Sequence, residues 1–393
     1  MTRSVIVNGA RTPIGKFAGG FRDLKAVDLG AVAIREALTR SGVPAEKVDY
    51  VIMGHVIQAG AGQITARQAA IGAGIPKEVP AITINKVCLS GLSAIALADQ
   101  LIRAGEVEVV VAGGMESMTG APYLIPDARF GSRMGDATIV DSMIHDGLWS
   151  TFTDRHMGDT SDDLNDEFQI LREEQDAWAE RSHRRANDAW EAGRFRDEVV
   201  TIEVPAPKGD PVVVARDEGI RPDTTLDSLA RLQPAFRRDG TITAGNASQI
   251  SDGAAAVVVT SPAKADELGL EPIAEVVAHG MSAERYAYLH TVPALALQNA
   301  LKKAGKDVHD LGVIEVNEAF ASVALNATRM LGASEELVNP NGGAVALGHP
   351  IGASGARLVL TAALEMRRRG ADLAGATLCG GGGQGDALIV GRI

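Results

Sequence analysis

The chain holds two cysteines, and each sits beside glycine in a loop of small residues. Cys88 lies in Asn85-Lys86-Val87-Cys88-Leu89-Ser90-Gly91, and Cys379 in Thr377-Leu378-Cys379-Gly380-Gly381-Gly382-Gly383. A short apolar run precedes each, which predicts both sulfurs at strand C-termini, where α/β sheets gather their chemistry. Free cysteine is usually packing material. Neighbouring glycines argue otherwise for Cys88, because they let a ligand or another backbone come close to the sulfur. For Cys379 taken alone, packing and chemistry remain equally open.

Cys88 is expected at the start of a buried helix, where unpaired N–H groups and the helix dipole favour negative charge. That setting would lower the thiol pKa and give a nucleophilic thiolate. A base is then required, and His349 is the best candidate. It stands in the glycine-dense loop Asn339 to Pro350, and Pro350 pre-sets the entry of the next helix, which implies a fixed geometry. Asn317 and Glu318 follow another apolar strand. Asn317 there is either a helix cap or a hydrogen-bond donor to an oxyanion.

Gly380, Gly382 and Gly385 satisfy G-x-G-x-x-G, but a dinucleotide fingerprint must open a helix and be followed about 20 positions on by an acidic residue. Only eight residues remain after Gly385, so no nicotinamide site is expected. No Walker sequence or metal-ligand spacing occurs, and no metal is expected.

The elements that must carry these residues alternate. Strands are predicted over Ser4–Asn8, Tyr50–Met53, Ala81–Val87 and Val107–Ala112, with helices over Asp28–Ser41, Thr65–Ala73 and Leu89–Arg103. The C-terminal third repeats the theme: strand Ile273–Val277, helix Pro293–Ala304, strand Val313–Val316, helix Ala319–Leu331, a short strand at Val338, helix Ile351–Arg369, and strands Ala376–Cys379 and Asp386–Val390. This is an α/β pattern, expected to form a mostly parallel sheet. Ser90-Gly91 and Ser354-Gly355 occupy matching places in two helix-to-strand units, which points to an internal duplication. The first of those helices is apolar nearly all round and so should lie between layers. Residues from about 119 to 245, rich in charge, Met, Trp and Phe, break the alternation and read as an insertion that covers substrate or forms oligomer contacts.

A chain of 393 residues with 46% hydrophobic and 4% aromatic residues can bury a large core. A net charge of −12 argues against a nucleic-acid surface. No apolar run is expected to reach the roughly 18 residues of a membrane span, and no signal segment is read at the start. Two cysteines 291 positions apart make no disulfide framework, which suits a reducing, cytoplasmic setting.

Together these residues resemble the thiolase family, the acetyl-CoA C-acyltransferases. The likeness runs through Ala10–Gly15, Asn85–Leu92, Gly113–Met118, Arg133–Ala137, His156–Gly158, Thr243–Ser248, Asn317–Phe320, Asn341–Gly355 and Cys379–Gly385. It implies the thiolase fold, a duplicated five-layered α-β-α-β-α arrangement with an inserted loop domain. The halves would be 1–268, with the loop domain at about 119–248, and 269–393. It further implies a ping-pong reaction in which Cys88 takes the acyl group, His349 accepts its proton, and Cys379 moves a proton at the α-carbon of acetyl-CoA. Asn317, through a bound water, and His349 would form one oxyanion site, and the backbone amides of Cys88 and Gly381 the other. His156, Met157, Arg221, Leu232, Phe236, Ala244, Ser248 and Phe320 would bind coenzyme A. Acetyl-CoA, coenzyme A and 3-ketoacyl-CoA would be the substrates and products, with no permanently bound cofactor, in a homotetramer built as a dimer of dimers.

Three stretches depart from the family pattern and bear on the acyl pocket. Leu89 stands where many short-chain members have a small residue. Met157–Asp163 replaces the common Met-Gly-x-Thr-Ala-Glu-Asn. The segment Tyr286–Pro293 is bulkier than usual. The leading expectation is condensation of two acetyl-CoA, or thiolysis of short-chain 3-ketoacyl-CoA. A broad-range degradative 3-ketoacyl-CoA thiolase and a catalytically silent lipid-binding relative are the alternatives. Decarboxylating ketosynthases, which carry two histidines, are set aside by Cys379.

Overall fold

The computed structural model describes residues 3–131, 133–206, 209–285 and 288–393. Strand β1 (Val5–Arg11) is followed by α1 (Ala26–Ser41), β2 (Tyr50–Gly54), α2 (Thr65–Gly72), β3 (Ala81–Ile84), α3 (Ser90–Ala104) and β4 (Val109–Ser117). Between β4 and the next long strand lie α4 (Met157–Glu167) and α5 (Arg172–Glu191). The chain then forms β5 (Ser251–Thr260), β6 (Ala274–Ala283), α6 (Val292–Ala304), β7 (Val313–Val316) and α7 (Ala321–Leu331). It ends with α8 (Ser354–Arg369), β8 (Leu373–Gly380) and β9 (Gln384–Gly391).

Each half lays its strands in the same order. The first runs β3-β2-β4-β5-β1 and the second β7-β8-β9-β6, with the two joined where β1 pairs with β6. Val338 bridges to Ile314 beside β7, in the place that β3 holds in the first half. Helices α1 and α2 cover one outer face, α3 and α8 lie between the halves, and α6 and α7 cover the other outer face, which makes five layers. This is the duplicated α/β arrangement that the sequence implies.

The sheet is mixed rather than mostly parallel. Strand β2 runs parallel to β3 and β4, and β7 to β8, whereas every pairing made by β5, β1, β6 and β9 is antiparallel. Strand β5 is absent from the sequence reading. It is buried on both faces along its whole length, so it carries no polar alternation to reveal it. The Gly381–Gly383 stretch turns the chain between antiparallel β8 and β9, and no helix follows the G-x-G-x-x-G sequence.

Helices α3 and α8 meet at the duplicated glycines. A Cβ on Gly91 would come within 2.7 Å of the Ala356 nitrogen, and one on Gly355 within 2.3 Å of the Leu92 nitrogen. Only glycine permits that approach, and it brings the N-terminal ends of both helices to one place. The segment Val87–Ala104 has mean hydropathy 1.4 over 18 residues, enough by length and composition to span a bilayer, contrary to the expectation from sequence. Most of it is buried between the two halves of the protein, which accounts for its apolarity without a membrane.

Candidate active site

Cys88 stands just before α3, on a loop whose geometry is forced. Val87 adopts φ of 52°, a left-handed conformation that a β-branched residue avoids, at a cost of about 1–3 kcal/mol. Short hydrogen bonds hold it there: the Val87 N–H donates to Asn85 Oδ1 at 3.0 Å, and Ser90 Oγ donates to the Val87 carbonyl at 2.6 Å. The backbone N–H groups of Cys88 and of Gly381, on the β8–β9 turn, point at the Cys88 sulfur.

The thiol is not the low-pKa group expected of a helix start. Burial pushes it up to about 12, and the Glu116 carboxylate adds to the rise, while the two N–H groups only partly offset it. Glu116 is itself fully buried and accepts hydrogen bonds from Val56, Ile57 and Gly352 N–H at 3.0–3.2 Å. Cys379, at the end of β8, is also raised by burial and by the neighbouring Cys88. At neutral pH both cysteines are therefore thiols.

His349 enters from the loop before α8. Its Nδ1 lies 2.6 Å from Ser354 Oγ, and that hydroxyl gives its own proton to the Pro350 carbonyl at 2.9 Å. Ser354 can then only accept, so Nδ1 carries the hydrogen and Nε2 presents its lone pair. Burial and the Arg357 charge hold His349 down to about 3, so the ring is neutral. Asn317 Nδ2 sits 3.3 Å from Nε2, and the residue is fully buried. Its loop is anchored by Glu318, whose carboxylate accepts from Trp178 Nε1, Ser182 Oγ, Asn339 Nδ2 and Val345 N–H at 2.7–3.0 Å. Helix α5 of the insertion thus helps to place a residue of the C-terminal half.

Cys88, His349, Cys379 and Gly381 line one cavity of about 520 Å³. The same cavity is lined by His156, Met157, Arg221, Phe236, Ala244, Ser248 and Phe320. His156 caps α4 through Nδ1, which accepts from Gly158 N–H at 3.0 Å, and stacks on Phe236 at 4.6 Å, while Phe236 meets Phe320 edge-on at 5.9 Å. These rings form an aromatic wall. Arg221 and Lys16, both exposed, supply positive charge at the rim. Leu232 does not line the cavity. It packs beside Gly245, next to Ala244, where a Cβ on the glycine would lie 2.6 Å from Leu232 Cδ1. Among the described residues, no group of three His, Cys, Asp or Glu is placed to hold a metal ion.

The three departures resolve differently. Leu89 is fully buried, packs against Gly380 and is not among the residues that line the cavity. The acidic run from Asp159 to Asp163 is structural: Asp159 and Asp163 pair with Arg155 at 2.6 Å, and Asp162 accepts from Thr241 and Ile242 N–H at 2.7 and 3.1 Å. Of the bulky segment, Leu289 lines the cavity, Tyr288 bonds Glu167 at 2.6 Å, and His290 is buried against Asn165 and Ser322. Tyr286 and Ala287 lie outside the described residues. Lining residues that the sequence did not single out include Lys16, Phe17, Leu148 and Ile351. Lys16 and Phe17 directly follow the Ala10–Gly15 motif, the one signal that could have pointed to them.

Three buried histidines set a stability expectation. His349 and His290 are held down to about 3 and His183 to about 4, in each case chiefly by burial. Between about pH 6.5 and these values the unfolded chain binds protons that the folded one refuses, so stability falls as pH falls. At pH 5 each histidine is expected to cost roughly 2 kcal/mol relative to pH 7. Urea midpoints at the two pH values measure this, and an unchanged His290→Asn difference would contradict it.

Comparison with known proteins follows the same lines. A model of the thiolase N-terminal domain matches residues 4–263, and one of the thiolase C-terminal domain matches residues 270–392. The chain is 58% identical over 388 residues to a probable acetyl-CoA acetyltransferase of Mycolicibacterium smegmatis, covering 99% of this chain and 100% of the relative. It is 56% identical to the protein of the same description in Mycobacterium tuberculosis, over 99% of each chain. It is 52% identical to the acetyl-CoA acetyltransferase of Pseudomonas aeruginosa, again over 99% of each.

Proposed function

The chain belongs to the thiolase family and is an acyltransferase, and from its site we propose that it joins two acetyl-CoA into acetoacetyl-CoA, or runs that reaction backward, through an acyl group carried on Cys88. The observation that carries this reading is the meeting of two buried thiols and a neutral imidazole in a single cavity with an aromatic wall and a cationic rim.

In the first half-reaction the Cys88 sulfur attacks the acetyl-CoA carbonyl while its proton passes to His349 Nε2. The oxygen gains negative charge within reach of the Cys88 and Gly381 N–H groups. Collapse expels coenzyme A, which leaves as a thiol with the proton from His349. In the second half, Cys379 gives its thiol proton to His349 Nε2 and, as a thiolate, takes a proton from the α-carbon of a new acetyl-CoA, and that carbon attacks the acetyl group on Cys88. The Nε2–H that His349 gains from Cys379, and Asn317 through a bound water, donate to the enolate oxygen of this second thioester. The Cys88 sulfur leaves with the proton from His349 Nε2, Cys379 keeps the α-carbon proton, and acetoacetyl-CoA departs.

His156, Met157, Phe236, Phe320, Ala244 and Ser248 hold the pantetheine arm and adenine of coenzyme A, with Leu232 supporting Ala244 and Arg221 facing its phosphates. No permanently bound cofactor takes part. The exposed apolar side chains Phe130 (84%) and Met134 (94%) in the insertion support burial by further copies, which suits a homotetramer. Two unpaired, buried cysteines suit a cytoplasmic setting.

The test is thiolysis of a series of 3-ketoacyl-CoA thioesters of increasing length. Leu148, Leu289, Met157 and Phe320 line the cavity, and each surplus methylene in such a pocket is worth roughly 1–3 kcal/mol. kcat/KM is expected to be highest for acetoacetyl-CoA and to fall with each lengthening. Equal values for four-carbon and sixteen-carbon substrates would move the enzyme to the broad-range degradative thiolases.

A further inference from the structure

A fully buried carboxylate on β9 binds the nucleophile loop from the other half of the protein. Lys86 Nζ, two residues before Cys88, lies 2.7 Å from Asp386 Oδ1, and Ser93 Oγ, five residues after Cys88, donates to Asp386 Oδ2 at 2.5 Å. His279 Nε2 is 3.8 Å from the same carboxylate, beyond hydrogen-bond reach. Asp386 has no exposed side-chain surface, and its carboxylate is held below the usual range, against desolvation, by these partners. A charge placed so deep persists only when it is paired, so the Lys86 ammonium and the Asp386 carboxylate hold one another in position.

The contact joins the two pieces of chain whose relative placement matters most. On one side is the loop in which Val87 is held at φ 52° with Cys88 next to it. On the other, Asp386 pairs across the sheet with Leu378, the neighbour of Cys379, and follows the turn that carries Gly381. Lys86 does not act on the thiol as a charge, since the rise of Cys88 traces to burial and Glu116. Its effect is on geometry.

Resting on the two-cysteine reading above, we propose that Lys86 and Asp386 are positioning residues for the acyl transfer: their ion pair fixes the Cys88 sulfur against the Gly381 N–H and at its working distance from Cys379. Without it, Val87 can relax toward ordinary backbone angles and carry the sulfur away from its donor. A displacement of about 1 Å in a reacting group can cost about 100-fold in rate.

Lys86→Met and Lys86→Arg test this in the full-length enzyme. Three quantities are read: kcat and KM for acetoacetyl-CoA thiolysis, the rate of Cys88 alkylation by iodoacetamide, and the thermal midpoint. Lys86→Met is expected to lose about 10- to 100-fold in kcat with KM within twofold, and to change the alkylation rate, while Lys86→Arg recovers most of both. Lys86 is partly exposed, so the fold should tolerate either change; Asp386→Asn, which keeps the shape and removes the charge, repeats the test from the other side. Unchanged kcat and alkylation in Lys86→Met would overturn the proposal, as would a loss that Lys86→Arg does not recover or one that tracks only the thermal midpoint. Alkylation needs no acyl transfer, so a wild-type enzyme that alkylates at Cys88 yet turns over no thioester would refute the proposed function and leave the positioning result to be read separately.

Discussion

Replacing Cys379 with alanine is expected to leave an enzyme that still loads an acetyl group from acetyl-CoA onto Cys88 and passes it to a coenzyme A analogue, yet has lost carbon–carbon chemistry about 100- to 10,000-fold. The reason lies in which proton each cysteine moves. Loading Cys88 needs the Cys88 thiol, the neutral His349 ring and the N–H groups of Cys88 and Gly381, none of which Cys379 supplies. Forming or breaking the carbon–carbon bond needs a group that takes or gives a proton at carbon, the part proposed for Cys379, which lines the same cavity as Cys88. Brief incubation with radiolabelled acetyl-CoA, followed by peptide mapping, should find the label on Cys88 in Cys379→Ala. Exchange between coenzyme A analogues should stay within about tenfold of wild type, well inside the range for losing a general acid–base group. Equal loss of exchange and condensation would mean that Cys379 merely supports Cys88, and label on any other residue would remove Cys88 as the nucleophile.

The residues that meet at the candidate site were legible because short stretches of sequence carry them. Cys88, His349 and Asn317 each lie in a loop, and Cys379 at the end of β8, where glycines, a proline or a flanking strand announce a constrained backbone. The duplication was legible from Ser90-Gly91 and Ser354-Gly355, since close helix crossing leaves glycine at the crossing point in both copies. What escaped depended on burial or on distant pairing. Strand β5 is covered on both faces and so has no alternation. Leu89 adjoins Cys88 in sequence but turns toward Gly380, because the first turn of a helix sends successive side chains in different directions. Helix position alone predicts a low thiol pKa, and desolvation, which sequence position does not show, is the larger effect. Lys86 and Asp386 stand 300 residues apart, so nothing local could join them.

The high thiol and low imidazole pKa values also fix how rate should respond to pH, and His349→Ala is the variant that exposes it. With Cys88 near 12 and His349 near 3, the resting pair is thiol and neutral ring, not thiolate and imidazolium. Moving a proton from one to the other changes no net charge. The reactive form therefore occupies the same small fraction of the enzyme at every pH between those two values, and the rate of Cys88 acylation in the wild type should be flat from about pH 6 to 9. Removing the imidazole forces the thiol to lose its proton to solvent. Acylation in His349→Ala should then rise about tenfold per pH unit across the same interval, since each unit multiplies the thiolate fraction tenfold below a pKa near 12. At pH 7 the variant should be slower by about 100- to 10,000-fold, the range for losing a general base. Single-turnover acylation with acetyl-CoA, sampled from pH 6 to 9, reads slope and magnitude together. A wild-type profile rising through neutral pH would show that Cys88 ionises independently of His349, and a flat profile in His349→Ala would mean that another group takes the proton.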